Sequence, residues 1–140
     1  MSDVSKRGQG QRHAARRGGV LVRVDGALSF VPASIALRIA PPPRVTPVPA
    51  APPELLGIAS YEGSIVPVIV IGPARREMIL CQHAGEIVGL VGGEVVRTGT
   101  FDAVPGRVDL VEHEGERAHV IDLPGIYGRV QASARPLLPS

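Results

Sequence analysis

Aromatic side chains are nearly absent: the 140-residue chain has two Tyr, two Phe and no Trp. Stacking platforms for unpaired bases are therefore missing, and nucleic acid is not an expected partner. The single cysteine, Cys81, excludes an internal disulfide framework and any multi-cysteine zinc site, as suits a reducing compartment. No apolar run reaches the ~18 residues of a helical membrane span. The basic start is not followed by the apolar stretch of a secretory signal, so a cytoplasmic location is expected. The four histidines, His13, His83, His113 and His119, show no metal-binding spacing. Cys81 and His83 fall on one face of a strand, but the apolar run Met78-Ile79-Leu80-Cys81 reads as the setting of a buried, inert thiol. Gly89-Leu90-Val91-Gly92-Gly93 lacks the spacing and the following helix of a phosphate loop. No catalytic, metal or cofactor site follows, and no small-molecule substrate.

What is present is a globular balance, 44% apolar and 20% charged residues. A chain of this length buries roughly two-thirds of its unfolded surface and needs no staple. The net charge of +2 is unevenly spread, because Lys6, Arg7, Arg12, Arg16 and Arg17 oppose only Asp3 at the start. Residues 1–18 read as a disordered basic arm, with polyanion binding as the alternative, and residues 19–140 as one slightly acidic domain. The cluster Glu112, Glu114 and Glu116 reads as a solvated hairpin tip.

From Gly19 onward, short apolar runs alternate with turn signals, which is an all-β pattern. Val20, Val22 and Val24 share a strand face, and Asp25-Gly26 suits a tight hairpin returning through Leu28 and Phe30. Ala33–Ala40 is the best helix candidate, with Pro32 at its start, Ile35 and Ile39 on one stripe and prolines after it. Strands are expected at Gly57–Tyr61, Ile65–Ile71, Glu77–Gln82, Glu86–Gly92, Glu94–Thr98, Val108–Glu112 and Glu116–Ile121. Pro67 marks its strand as an edge or a bulge. Turns fall at Glu62-Gly63, His83-Ala84-Gly85, Pro105-Gly106 and Glu114-Gly115. Such a series of short strands with one brief helix is a barrel or a sandwich.

The stretch Gly57-Ile58-Ala59-Ser60-Tyr61-Glu62-Gly63-Ser64-Ile65-Val66-Pro67-Val68-Ile69-Val70-Ile71 resembles the signature of CheW-like chemotaxis coupling domains. The flanking order is similar too: Leu55-Leu56 before Gly57, then Val88 to Val95, then Val120-Ile121-Asp122-Leu123. The resemblance implies two small five-stranded SH3-like barrels packed across a hydrophobic groove, with one or two short helices. It also implies a non-enzymatic adaptor joining the regulatory domain of a CheA-type histidine kinase to the helical tip of a methyl-accepting chemoreceptor. Carried over onto this chain, Arg38, Ile58, Glu62, Val68, Val70, Leu90 and Val95 would contribute to partner binding or support it.

The chain departs from that signature at several points. The usual Asn, Leu and Arg are Ser60, Tyr61 and Glu62, the strand Asp is Val70, and a Val-Asp pair is replaced by Gly92-Gly93. The position usually acidic holds Arg38. Two readings of the double charge change stand: an ion pair of inverted polarity, or two independent surface substitutions. The alternative function is a stand-alone module of the same fold that has lost kinase and receptor coupling and binds another helical partner. A polyanion-binding arm and a Cys81–His83 esterase are the remaining alternatives.

Overall fold

The computed structural model describes residues 15–41 and 44–134. Ten strands and one helix follow in order: β1 (Arg16–Val24), β2 (Ala27–Pro32), β3 (Ala36–Ala40), β4 (Leu55–Tyr61), β5 (Ser64–Val70), β6 (Met78–His83), β7 (Glu86–Val91), β8 (Glu94–Val104), β9 (Arg107–His113), β10 (Glu116–Val120) and α1 (Leu123–Ala134). The first two strands and the last three close into a barrel, β1-β2-β10-β9-β8, while the middle five form a second sheet, β3-β6-β7-β5-β4. The chain thus leaves the barrel after two strands, builds the second sheet and returns.

Local chemistry dictates the hairpins. Asp25-Gly26, Glu62-Gly63, Ala84-Gly85 and Glu114-Gly115 all hold positive φ at both central residues, the geometry of the two-residue turn whose twist matches its strands. Period-two alternation then sorts the side chains. Leu21, Leu28, Phe30, Phe101, Val111 and Ala118 fill the barrel. Val66, Val68, Met78, Leu80 and Val91 line the inside of the second sheet, which is curled enough to bring Ala40 of β3 and Ala59 of β4 into the same cluster. A third cluster joins the two halves: Val20, Val22 and Val31 of the barrel meet Ile69, Ile79, Cys81, Val88 and Leu90 of the second sheet, with Leu123 and Val130 of α1 between them.

The backbone ladder closes the barrel, but β3 and β4 are the free ends of the second sheet. The outer edge of β4 is covered at one point, where Ile58 exchanges backbone hydrogen bonds of 2.8 and 2.9 Å with Thr46 of the proline-rich connection. Because both polar groups of Ile58 turn outward, its pairing with Pro67 is not hydrogen-bonded and the missing proline N–H costs β4 nothing. Pro67 therefore sits in an inner strand, not at a sheet edge, one residue before the parallel pairing with β7 begins at Val68.

Three further points differ from expectation. The predicted helix Ala33–Ala40 is a turn followed by β3, which pairs with β6 through Ala36, Arg38, Ile39 and Ala40. Eight residues are too few to offset helix nucleation, and pairing with an existing apolar strand outcompetes it. The helix that does form follows the last expected strand, in residues to which no element was assigned. Leu123, Ile126, Tyr127 and Val130 repeat at i, i+3, i+4 and i+7, and the Asp122 carboxylate accepts the Gly125 N–H at 3.1 Å as an N-terminal cap. Third, β1 begins at Arg16, so Arg16, Arg17 and Gly18 belong to the barrel rather than to an arm. Ala15 of the expected arm accepts the Ala103 N–H at 2.7 Å, and residues 1–14 lie outside the described residues.

Candidate partner-docking face

The hairpin β4–β5 presents one apolar face away from the interior. Ile58 and Ser60 on β4 stand opposite Pro67 and Ile65 on β5. Val66 and Val68 point inward and are fully buried, so alternation turns Ile65 outward, where it is 72% exposed. Ile65 forms a rib between two shallow depressions. One, of about 380 Å³, has Arg44, Thr46 and Ile58 along its wall. The other, of about 400 Å³, lies among Pro67, Glu86, Ile87 and Tyr127. A guanidinium thus stands at one end of the face and a carboxylate at the other.

Helix α1 fixes the second rim. The Tyr127 hydroxyl donates to Glu86 Oε2 at 3.1 Å, and its ring lies 4.9 Å from the His83 ring. Burial, with a smaller contribution from the hydrogen bond to Glu86, raises the Tyr127 phenol above its ordinary pKa. A clasp crosses the open seam of the sheet. Arg38 Nη1 on β3 donates to the Tyr61 hydroxyl at 2.8 Å and to Glu62 Oε1 at 3.4 Å. The double charge change therefore brings Arg38 and Glu62 together with inverted polarity, but Tyr61 is the shorter partner and the pair spans two strands. Both side chains are mostly exposed.

The remaining expected partner residues sort by burial. Ile58 is half-buried and on the open face. Val70 is half-buried against the interior of the second sheet, and Val95 against the cluster between the halves. Val68 and Leu90 are closed off at 0% and 1% exposure and offer no surface, so any part they play is support. Ile65 and Tyr127 were missed. The outward phase of Ile65 was hidden in a run apolar at nearly every position, whereas the i, i+3, i+4, i+7 repeat would have found Tyr127.

Other candidates have structural roles. The Cys81 thiol is buried and pushed up to about 12 by desolvation, and its sulfur contacts the Ile79 carbonyl oxygen at 3.8 Å. A thiol so protonated is no nucleophile. The acidic tip is paired: Arg23 grips Glu116 in bidentate fashion at 2.7 and 3.1 Å, and Arg117 meets Glu112 at 3.8 Å. The Gly92-Gly93 departure has a steric cause, since a Cβ on Gly92 would collide with the backbone of Gly72 where the chain crosses between the halves.

The CheW-like domain family matches residues 18–103, more than half of the chain. This chain belongs to the CheW-like domain family. The CheW-like domain also superposes on the crystal structure of scaffolding protein TtCheW from Thermoanaerobacter tengcongensis. The TM-score is 0.64 at 18% identity, covering 76% of this chain and 90% of that one. No curated protein matches it significantly in sequence. The shared architecture is two SH3-like units of five strands, here one closed by its backbone and one by the Arg38 clasp. Among the described residues, no helix is long and apolar enough to cross a membrane.

Proposed function

We propose that this CheW-like domain is a non-enzymatic chemosensory adaptor in the cytoplasm. In this reading it joins the regulatory domain of a CheA-type histidine kinase to the helical cytoplasmic tip of a methyl-accepting chemoreceptor. The observation that carries the reading is the outward Ile58–Ile65–Pro67 face on a family fold, flanked by a guanidinium and a carboxylate. An exposed apolar rib between two shallow depressions suits the apolar stripe of an amphipathic helix, with the charges setting its direction. Recognition of this kind needs no titrating group. Scaffolding is also what the matched solved protein is named for.

The test is binding of the purified chain to a CheA-type regulatory domain and to a soluble receptor hairpin, before and after Ile65→Glu. Because Ile65 is exposed, the variant keeps its melting temperature, while affinity for at least one partner falls by about tenfold or more. Binding of both partners unchanged by the substitution overturns the assignment of this face. A second reading, a module of this fold that serves another helical partner, is favoured by the inverted Arg38–Glu62 pair. A wild-type chain that binds neither kinase domain nor receptor hairpin selects it.

A further inference from the structure

Strand registers place four residues of the Ile65 face in one row across the second sheet. Ser60 of β4 is opposite Ile65 of β5. The antiparallel bridge between Thr46 and Ile58, continued by two residues, puts Arg44 beside Ser60, and both border the same depression. The parallel ladder that pairs Val68 with Gly89, continued back by three residues, puts Glu86 of β7 beside Ile65, and these two border the other depression. The row therefore reads Arg44, Ser60, Ile65, Glu86, at right angles to the strands, and all four residues are exposed. At one strand spacing of ~4.8 Å per step, its charged ends lie about 14 Å apart. The Tyr127 hydroxyl fixes one end by donating to Glu86 Oε2 at 3.1 Å.

The row runs along the foot of a wall. Further along the strands, Ile69 continues the side of Ile65, and Val88 and Leu90 continue the side of Glu86. All three are buried in the cluster with Val20 and Val31 of the barrel and Leu123 and Val130 of α1. The uncovered part of the face is thus a corner, and a corner admits a rod laid across the strands. An α-helix is such a rod, ~10 Å across. A second copy of this chain would oppose Arg44 to Glu86 about a twofold axis along the strands. Face-to-face sheets sit ~10 Å apart, however, so that axis sets the second sheet at the height of α1 and the barrel.

We infer that the row selects its partner helix by charge spacing. The helix carries a carboxylate that meets Arg44 and a cation that meets Glu86, three turns apart at i and i+11, with apolar side chains at i+4 and i+7 against Ile65. Of the spacings that return to one helix face, i+7 spans ~10 Å and i+14 ~21 Å, while i+11 spans ~16 Å and comes nearest to the row. A like charge at either end meets repulsion, which excludes helices of the wrong pattern. The inference rests on the docking of a helix at the Ile65 face proposed above, and it adds what that helix must carry.

The test uses the full chain and fluorescein-labelled, end-blocked, alanine-based helical peptides of about 18 residues, followed by anisotropy. The first peptide carries Glu, Leu, Leu and Lys at i, i+4, i+7 and i+11. It is expected to bind saturably, about fivefold tighter than a peptide with Lys in place of the Glu. It is also expected to bind tighter than one in which the residues at i+7 and i+11 are exchanged. Arg44→Glu is expected to reverse the first preference, so that the peptide with two Lys becomes the tighter binder; a misfolded variant would lose both instead. Absence of binding overturns the inference, as does indifference to charge, to spacing or to Arg44→Glu. Where the charge rule fails but Ile65→Glu still abolishes binding, the docking face stands without it; binding unchanged by Ile65→Glu overturns the face as well. Dimerisation in sedimentation that the peptide reverses and Arg44→Glu abolishes overturns the inference in favour of a second copy.

Discussion

Replacing Leu123 by Ala tests whether α1 is part of the core or an appendage. Leu123 is 1% exposed and sits in the one apolar cluster that draws on both sheets and the helix. Removing its branched end leaves a cavity walled by β-strands that cannot collapse freely, which places the cost at about 2–5 kcal/mol. Domains are stable by only ~5–15 kcal/mol in total, so this loss is large. At roughly 4 °C per kcal/mol for a chain of this length, 3 kcal/mol lowers the melting temperature by about 12 °C. The assay is urea unfolding followed by circular dichroism and by tyrosine emission. The two tyrosines report separately placed elements, Tyr61 on β4 and Tyr127 on α1. Since the cluster is shared, both signals shift together to lower urea in one transition. Arg129→Ala, on the exposed side of the same helix, stays within about 0.5 kcal/mol of wild type. A loss below about 1 kcal/mol for Leu123→Ala refutes the reasoning. So does a separate early transition that shifts emission and removes the helical dichroism ahead of the strands, because the helix would then unfold without the sheets.

Two further outcomes follow from the polar contacts. Tyr61→Phe removes the shorter of the two hydrogen bonds that Arg38 donates across the β3–β4 seam; amide hydrogen exchange at Arg38 and Ile39 is expected to rise more in it than in Glu62→Gln, and the reverse order refutes Tyr61 as the main clasp. The bidentate bond from Arg23 holds the Glu116 carboxyl below its ordinary pKa. A depressed carboxyl contributes stability above its unfolded-state pKa and loses it as pH falls through the folded value. Carbon-detected NMR titration is expected to show a low Glu116 midpoint that returns to the ordinary carboxylate range in Arg23→Ala.

Much of the fold was legible because its signals are local. Four X-Gly turns name their hairpins, since positive φ at successive residues is a property of the turn itself. The strands between them were read from apolar runs, and their order carried the family likeness. Ala33–Ala40 was misread because the decisive interaction is remote: β6, some forty residues away in sequence, supplies the ladder that makes those residues a strand. The docking face was half legible. Ile58 came from the signature, but β5 is apolar throughout, so nothing in its composition says which alternate residues face out.

The sequence alone determined the class of the molecule: short strands, tight turns, no disulfide network and no base-stacking surface, all consequences of residue type and spacing. Tertiary structure decided which apolar residues became surface. Val68 and Ile65 are equally apolar and three residues apart, yet one is buried and the other 72% exposed. Pairing with β4 and β7, and the packing of α1 into the cluster between the sheets, set the phase of β5 and hence its outward face. The seam of the second sheet is likewise a property of assembled strands. A hydrogen-bonding edge exists only relative to the neighbours a strand has or lacks.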